Sequence, residues 1–314
     1  MEFNDFCNEI RDNIGEYLLG YDFDNIQLQE VTHNNNTTHM GLLISRSEVN
    51  VAPTIYMEQY YKQYQDTGDM DAVIKEIAET YKASLESTND LRTEIFNQKE
   101  QYFSNCYLKV VNYEKNKNML QDVPYKKYMD LAVTIRMLVR VDETGMASAI
   151  VTHDHTARLG INEKELYNAA LENTEFLFPV RINKLEDVIR DLDSNGLVQE
   201  ELPDTGIYVL SNLPRIAGAT TILYAQDQIT QFAEGLECGF YIVPSSTNEV
   251  LLCPDNNDMD PEMLQRTAME VNEFVVSDTE FLSNSIYHFD KDSREIKMEL
   301  PDPQIDDRQN QRRI

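Results

Sequence analysis

The feature that most constrains the fold is a strictly alternating segment in the middle of the chain. Across 131–141 every second residue is apolar, while Arg136 and Arg140 stand at intervening positions. Because successive side chains of a strand point to opposite faces, this pattern predicts a half-buried strand. The next residues, 142–145, form a tight-turn sequence ending on glycine, and 146–153 is predicted as the partner strand. The pattern therefore predicts an antiparallel hairpin.

Helical and extended patterns succeed one another along the rest of the chain. The clearest helix covers 70–81, where apolar residues recur at three- and four-residue steps. Asn162 with Glu165, and Asp260 before Pro261, are helix-start sequences. Further helices are predicted at 3–19, 53–64, 90–101, 162–177, 185–204 in part and 222–236 in part, and strands at 25–32, 38–46, 49–54, 207–210, 220–224, 240–243 and 250–253. This mixed order predicts an α+β fold, mainly antiparallel sheet with hairpins, packed by amphipathic helices.

The same patterns divide the chain into three parts. We expect an N-terminal α+β region at 1–103, a C-terminal α+β domain at 104–300 and a disordered tail at 301–314. No linker rich in proline and glycine marks the first boundary. The tail is polar and contains a proline, so nothing in it predicts packing against a core.

The charge balance excludes several classes of partner. The chain of 314 residues carries 27 Lys+Arg against 55 Asp+Glu, a net charge of −28. Such a chain repels nucleic acids and anionic membranes, because affinity for phosphates comes mainly from lysine and arginine. The one local basic excess, 109–127, mixes lysines with tyrosines, and we interpret it as a solvated connection rather than a single-strand-binding surface. Only 11 residues are glycine, which argues against glycine-rich nucleotide-binding loops.

The compartment is inferred from the cysteines and from the apolar runs. The four cysteines form no CxxC pair, so we expect reduced, partly buried thiols. Cys253 precedes a run of aspartates that opposes a thiolate, and we interpret it as inert. The acidic segment 1–11 does not resemble a signal peptide, and no apolar run approaches the about 20 residues that span a bilayer. We therefore expect a cytoplasmic protein.

One dense group of potential metal ligands stands at His153-Asp154-His155. If this segment is extended, His153 and His155 point to the same side and can bind one divalent metal ion. A third ligand would come from Glu163 or Glu165 in the next helix. The alternative is that polar side chains simply end the strand. No other cofactor is predicted.

A second candidate site is a polar turn between two predicted strands. Ser245, Ser246, Asn248 and Glu249 follow the strand at 240–243. Hydroxyl, amide and carboxylate groups at a turn can bind a small ligand. The same residue types also satisfy the backbone of an ordinary turn. No standard catalytic motif occurs in the chain.

Several stretches, taken together and in order, resemble one protein family. They are PTIYMEQYY at 53–61, DLAV at 130–133, ENTEFLFP at 172–179, GA at 218–219, PSSTNEV at 244–250, EVN at 270–272, and LS at 282–283 before Tyr287. The pattern resembles the domain of unknown function 5688 of anaerobic gut bacteria. The resemblance implies a bacterial cytoplasmic protein and no established activity. The family pattern favours His where Asn248 stands and Asp where Asn284 stands, which argues against catalysis at the turn.

Together these observations predict a non-catalytic binding or protein-interaction module whose partner is an unknown protein or small ligand. Two alternatives stay open. One is a metal-dependent hydrolase that uses His153 and His155. The other is an acidic mimic of nucleic acid, which requires carboxylates arrayed along one face. Here the acidic residues are spread over 1–30, 184–204 and 290–307, which argues against the mimic.

Overall fold

The chain folds into antiparallel sheets packed by amphipathic helices. A computed structural model describes residues 1–46, 54–88, 96–142, 145–193, 202–256 and 259–303. Every strand pair with a described register is antiparallel, which confirms the predicted α+β fold. The chain divides into a first unit, Met1–Asn97 with Val139–Met146, and a second unit, Gln98–Leu138 with Ala147–Ile314. Most of the predicted tail, 304–314, lies outside the described residues.

In the first unit, helices pack on a sheet of order β1-β2-β3. Its elements are α1 (Phe3–Tyr17), β1 (Asn25–Thr32), a 3-10 turn (Asn34–Asn36), β2 (Thr38–Ser45), β3 (Thr54–Tyr56), α2 (Met57–Thr67) and α3 (Met70–Thr88). The predicted first helix and the hairpin of β1 and β2 are confirmed. The apolar face of α3 is also confirmed, because Val73, Ile77 and Tyr81 are fully buried in the core.

The start of α2 differs from the sequence prediction. Tyr56 has extended backbone angles and ends β3, so the helix begins at Met57 and not at the proline before it. Pro53 itself lies outside the described residues, as do parts of the predicted segments 49–54 and 90–101. Pairing of β3 with β2 explains the difference, because those ladder bonds hold Tyr56 in the sheet.

The second unit contains two sheets, one of order β4-β6-β5 with β7 beside β6, the other of order β13-β12-β10-β11-β9-β8. Its elements are α4 (Lys99–Asn105), β4 (Cys106–Asn112), a 3-10 turn (Met119–Gln121), β5 (Tyr125–Tyr128), β6 (Leu131–Asp142), β7 (Gly145–Ile150), α5 (His153–Arg158), α6 (Glu163–Leu177), β8 (Val180–Lys184), α7 (Leu185–Leu192), β9 (Tyr208–Asn212), a 3-10 turn (Gly218–Leu223), α8 (Gln226–Leu236), β10 (Phe240–Val243), β11 (Val250–Pro254), α9 (Pro261–Phe274), β12 (Ile286–Asp290) and β13 (Glu295–Leu300). The end of β6 and the start of β7, within Val139–Met146, are counted with the first unit.

The predicted hairpin of β6 and β7 is present, but β6 is not half-buried along its length. Ala132 and Thr134, on the face opposite the alternating apolar residues, are also buried. Ala132 packs with Leu120 and Val123 from the preceding segment, which covers the second face of the strand. The turn residues 143–144 lie outside the described residues.

Both helix-start sequences of the second unit are confirmed. The Asn162 side chain accepts the backbone N–H groups of Lys164 and Glu165 at the start of α6. Asp260 accepts the N–H of Glu262 at 3.0 Å, with proline at the first turn of α9. These caps satisfy amide groups that a helix leaves unpaired.

The second unit differs from the sequence prediction at three segments. Residues 153–158, expected to begin as strand, form the short helix α5. The run 220–224 belongs to a 3-10 turn and not to a strand. The hairpin of β12 and β13 has no counterpart in the sequence prediction. In the described part of the chain, no helix is both long and apolar enough to cross a membrane.

Candidate functional site

The predicted polar turn lies between β10 and β11, where its groups bind other parts of the fold. Ser246 Oγ accepts the backbone N–H of Asn248 at 2.9 Å, and Asn248 Nδ2 donates to Glu280 Oε1 at 2.8 Å. Glu249 lies 3.5 Å from Arg215. The backbone of Ser245 accepts the N–H of Leu282 at 3.0 Å. The turn therefore holds the segment at 277–285, and direct ligand binding by its side chains stays a prediction.

That segment contributes hydroxyl groups to a single carboxylate. Asp130 lies just before β6 and accepts hydrogen bonds from Ser283, from Ser285 at 2.8 Å and from Tyr287 at 2.5 Å. All three hydroxyl-bearing residues are fully buried. Burial, followed by the charge of Asp130, raises the pKa of Tyr287 well above its ordinary value. Tyr287 therefore stays neutral and donates its hydroxyl hydrogen to the carboxylate.

Asn112, at the end of β4, fixes the same segment from another direction. Its Nδ2 donates to the Leu282 carbonyl at 2.7 Å, and its Oδ1 accepts the backbone N–H of Lys115 at 2.8 Å. Lys115 in turn places its ammonium 3.9 Å from the centre of the Phe281 ring. The four-stranded sheet thus positions both the backbone and one aromatic side chain of the segment.

An open pocket of about 530 Å³ lies between α9 and this segment. We call it the α9 cleft. The cleft is lined by Lys115, Arg266, Met269, Glu270, Asn272, Glu273, Val276, Asp278, Phe281 and Asn284. Its walls therefore combine apolar side chains with charges of both signs.

One lining residue carries an unsatisfied polar atom. Asn272 is 6% exposed, and its Nδ2 donates to Asn284 Oδ1 at 3.0 Å. Asn272 Oδ1 is buried and has no hydrogen-bond partner within the described residues. An unpaired buried acceptor costs about 1–3 kcal/mol, so a donor supplied at this position would stabilise the protein.

The cleft is lined by charged, amide and apolar side chains. No histidine, cysteine or serine is among the described residues that line it. The glutamates Glu270 and Glu273 are exposed, and exposed carboxylates lack the burial that turns such a group into a general acid. Arg266 and Lys115 can pair with carboxylates, whereas Glu270 and Glu273 can pair with basic groups.

Four exposed apolar side chains lie on the same helix or directly after its last residue. Met263, Val271, Phe274 and Val275 are exposed, with Phe274 83% exposed and Val275 76% exposed. We call these four residues the α9 stripe. Met263 and Phe274 are eleven residues apart, which is about three turns, so they lie on one side of the helix beside Glu270. Val271, Phe274 and Val275 are three and four residues apart, and an exposed apolar patch of this kind marks an interaction surface.

The two histidines predicted as metal ligands separate in the structure. His153 Nδ1 lies 2.7 Å from Glu163 Oε1, so this histidine and the predicted third ligand are close together. His155 instead completes the cap of α5, where its Nδ1 accepts the Thr152 backbone N–H at 3.3 Å. The segment is helical, so side chains two residues apart emerge about 200° apart around the axis.

The expectation of an extended segment is therefore wrong, and metal binding by this pair loses its geometric basis. Within the described residues, no three His, Cys, Asp or Glu side chains form a group suited to a metal ion. Metal binding at His153 and His155 stays a prediction for elemental analysis of the purified protein.

His153 and Glu163 line a second pocket, of about 290 Å³. We call it the His153 pocket. Lys126, Lys164 and Tyr167 also line it. Lys126 places its ammonium 3.3 Å from the centre of the Tyr167 ring. This pocket shares no lining residue with the α9 cleft.

Several lysines of the basic segment lie over aromatic rings. Lys126 covers Tyr167, while Lys127 and Lys117 lie 4.4 and 5.7 Å from the centre of the Tyr113 ring. A ring face that holds an ammonium group is not available for stacking a nucleobase. The lysines therefore do not form a single-strand-binding surface. The expectation of a solvated connection is nevertheless wrong, because 109–112 belongs to β4 and its residues Val110 and Val111 are buried.

The cysteine thiols have environments that suppress reactivity. Burial raises the pKa of Cys253 to about 12 and that of Cys106 to about 12. Cys7 is also buried, and its pKa rises to about 11. All four cysteines are free, with Cys238 partly exposed. Cys253 is buried, as expected from the sequence, and its lack of reactivity stays a prediction.

The sequence prediction missed the residues that form the cleft and its support. Asp130, Asn272, Ser283 and Ser285 match no catalytic or ligand-binding motif. The one sequence signal for these residues is that Asp130, Asn272 and Ser283 fall in the family-like stretches DLAV, EVN and LS. Those stretches are far apart in the chain, and only the fold brings them together.

The cleft, the stripe and the hydroxyl network are features of an α+β protein. The model of a family of unknown function, DUF5688, matches residues 3–291, so the chain belongs to that family and the predicted resemblance is confirmed. No curated protein and no solved structure matches the chain.

Proposed function

We propose that this protein is a non-catalytic interaction module that binds a segment of a protein partner along α9. The observation that carries the proposal is the α9 stripe, which places four large apolar side chains in solvent beside the α9 cleft. Binding of a complementary segment would remove this apolar area from water. The cleft would receive polar side chains of the same segment.

The charges around the stripe define the chemistry of the partner. Glu270 and Glu273 line the cleft next to the stripe, and Glu262 stands on the first turn of the same helix. We infer a partner segment with apolar side chains against Phe274 and Val271, and with lysine or arginine opposite the glutamates. Such complementarity accelerates association and selects the partner.

The unsatisfied Asn272 oxygen gives the cleft a specific role in recognition. A backbone N–H or a side-chain donor of the partner segment would satisfy it. The support that Asp130 and Asn112 give to the 277–285 segment keeps the opposite wall in place. A cleft that is formed in advance binds with a smaller loss of conformational entropy.

The experiment is a selection of binding peptides from a random displayed library. Peptides enriched on the wild-type protein should combine apolar with basic residues. Their affinity should fall at least about tenfold for the double variant Val271→Ser, Phe274→Ser, because the apolar contact is lost. Phe176→Ser is the matched control, since Phe176 is 84% exposed but lies on α6.

Two results would overturn the proposal. One is enrichment of peptides that bind the double variant as tightly as the wild type. The other is equal loss of binding in the double variant and in Phe176→Ser. Circular dichroism of all variants confirms that folding is unchanged.

The other functions predicted from the sequence have less support. A metal-dependent hydrolase would need His153 and His155 to converge, and the helical cap of α5 directs them apart. An acidic nucleic-acid mimic would need one continuous acidic ridge, yet acidic residues occur on elements as separate as α1, α7 and β13. We propose no nucleic-acid or membrane partner, because the net charge of −28 repels both.

We also propose the cytoplasm as the compartment. Its support is that all four cysteines are free and three of them are buried. Thiols in this state are typical of a reducing environment.

A further inference from the structure

The His153 pocket is a second cavity that the interaction along α9 does not use. His153 is held at two points: its backbone N–H donates to the Asp122 carbonyl at 2.9 Å, and its Nδ1 lies 2.7 Å from Glu163 Oε1. Thr156 Oγ1 is buried 2.9 Å from the same Glu163 oxygen. The imidazole is therefore fixed through Nδ1, which leaves Nε2 as its second hydrogen-bonding atom.

Two ammonium groups belong to the same pocket. Lys126 of β5 and Lys164 of α6 both line it, on a chain whose net charge is −28. Within the described residues neither lysine forms an ion pair, and Lys126 is held over the ring of Tyr167 instead. The one carboxylate of the lining, Glu163, is already bound by His153. The pocket therefore offers positive charge without a competing free carboxylate.

The remaining wall of the pocket is apolar. Val123, Pro124 and Ile135 line it together with the rings of Tyr125 and Tyr167. A volume of about 290 Å³ is at the lower end of the range for small-molecule sites. The site thus combines a cationic end with an apolar wall large enough for one ring.

We infer that the His153 pocket binds a small ligand that carries an oxyanion, a phosphate or a carboxylate, on an apolar or aromatic body. Lys126 and Lys164 bind the oxyanion, and His153 Nε2 forms a further hydrogen bond to the ligand. The aromatic body packs against the apolar wall of Val123, Pro124 and Ile135. Charge-assisted hydrogen bonds to an oxyanion are the stronger kind in such a site.

The test titrates phenyl phosphate into the full chain and observes the histidine side chains by NMR. The chain has five histidines, and the His153 signal is assigned by its loss in His153→Gln. We expect a saturable shift of the His153 signal, at about millimolar concentration or below, while those of His33, His39 and His288 stay in place. Two control ligands should each bind at least fivefold more weakly than phenyl phosphate. Phenol lacks the anion, and inorganic phosphate lacks the ring.

Two neighbouring lysines provide a matched pair of variants. Lys126→Met should weaken the binding of phenyl phosphate at least fivefold. Lys127→Met removes the same charge from the same strand, but its ammonium lies over Tyr113 and outside the pocket, so we expect a change of less than twofold. An unmoved His153 signal at saturating ligand, or equal weakening by the two variants, would overturn the inference.

Discussion

At the scale of single residues, Asp130 is the most consequential side chain of the site. It accepts three hydroxyl groups that have no contact with solvent. Buried hydroxyls without an acceptor are costly, so one carboxylate satisfies a set of donors that no other described side chain reaches. Asp130 thereby connects the start of β6 to the segment that forms one wall of the α9 cleft.

Replacement of this carboxylate should be severe. We expect Asp130→Ala to lower the free energy of unfolding by about 3 kcal/mol or more, because it leaves three buried donors unsatisfied. Tyr287→Phe removes one donor together with its bond and should cost about 1 kcal/mol. Urea denaturation measures the free energy of unfolding of both variants. Asp122→Ala is the control: Asp122 is exposed and should change stability by less than about 0.5 kcal/mol, and an equal loss there would contradict the assigned role.

Lys109 of β4 gives the protein a specific dependence on pH. Burial, with the nearby charge of Arg136, lowers its pKa from 10.5 to about 8. Below pH 8 the lysine is charged in both states, and the folded state bears the cost of the buried charge. Between pH 8 and 10.5 the unfolded chain binds more protons, so this group makes stability rise with pH.

The variant Lys109→Met isolates this effect. Removal of the buried charge should raise the free energy of unfolding by about 2–3 kcal/mol at pH 7. The difference from wild type should shrink as the pH rises from 8 to 10.5, where wild-type Lys109 becomes neutral. Thermal or urea unfolding of both proteins at pH 8 and at pH 10.5 measures this difference in stability. A gain that is constant across the window would show that packing, and not charge, causes it.

At the scale of elements, the site depends on close packing between a 3-10 turn and the polar turn after β10. Gly218 begins the 3-10 turn, and a Cβ built there would overlap the carbonyl oxygen of Asn248 and the hydroxyl of Ser211. Ser211 Oγ donates to that same carbonyl at 2.7 Å. Only glycine permits this approach, so the polar turn of Ser245 to Glu249 is held by backbone packing.

A pair of glycine variants tests this contact. Gly218→Ala should lower the free energy of unfolding by at least about 2 kcal/mol, because the overlap is with backbone that cannot move aside. Gly235→Ala has open space around the new methyl group and lies in α8, so it should raise stability by about 0.5–1 kcal/mol. The midpoints of urea denaturation compare the stabilities of the two variants. Tolerance of alanine at Gly218 would mean that the 3-10 turn shifts freely.

Helix α9 has one side in the core and one side in solvent. Its inner side buries Ala268 and Asn272, while its outer side carries the α9 stripe. The Asp260 cap and the following proline define where it starts, as the sequence predicts. Its amphipathic pattern does not distinguish the two apolar sides, because a core-facing valine and a partner-facing valine have the same hydrophobicity.

At the scale of the whole molecule, charge and fold together limit what the protein can bind. The net charge of −28 is distributed over helices and strands of both units. Against that background, the lysines of the His153 pocket and the apolar α9 stripe are local departures. They differ in chemistry, so we expect a small oxyanion ligand at one and a basic, apolar segment at the other.

The sequence by itself determined the local structure of this protein. Periodicity of 3.6 or 2 residues, capping side chains and turn residues predicted α1, α3, α6, α9 and the hairpins of β1–β2, β6–β7 and β10–β11. Each of these signals acts between residues close in sequence, which is why they are readable from the chain. The α+β class and the family followed from the same evidence.

Only the tertiary structure decided the sites. Asp130 lies more than 150 residues from the hydroxyls that it binds, and no local pattern encodes such a pairing. The segment that carries His153 and His155 is helical and not extended, because the Thr152 side chain caps the start of α5. Whether an apolar side chain faces the core or solvent depends on what packs against it, and that is settled by the fold as a whole.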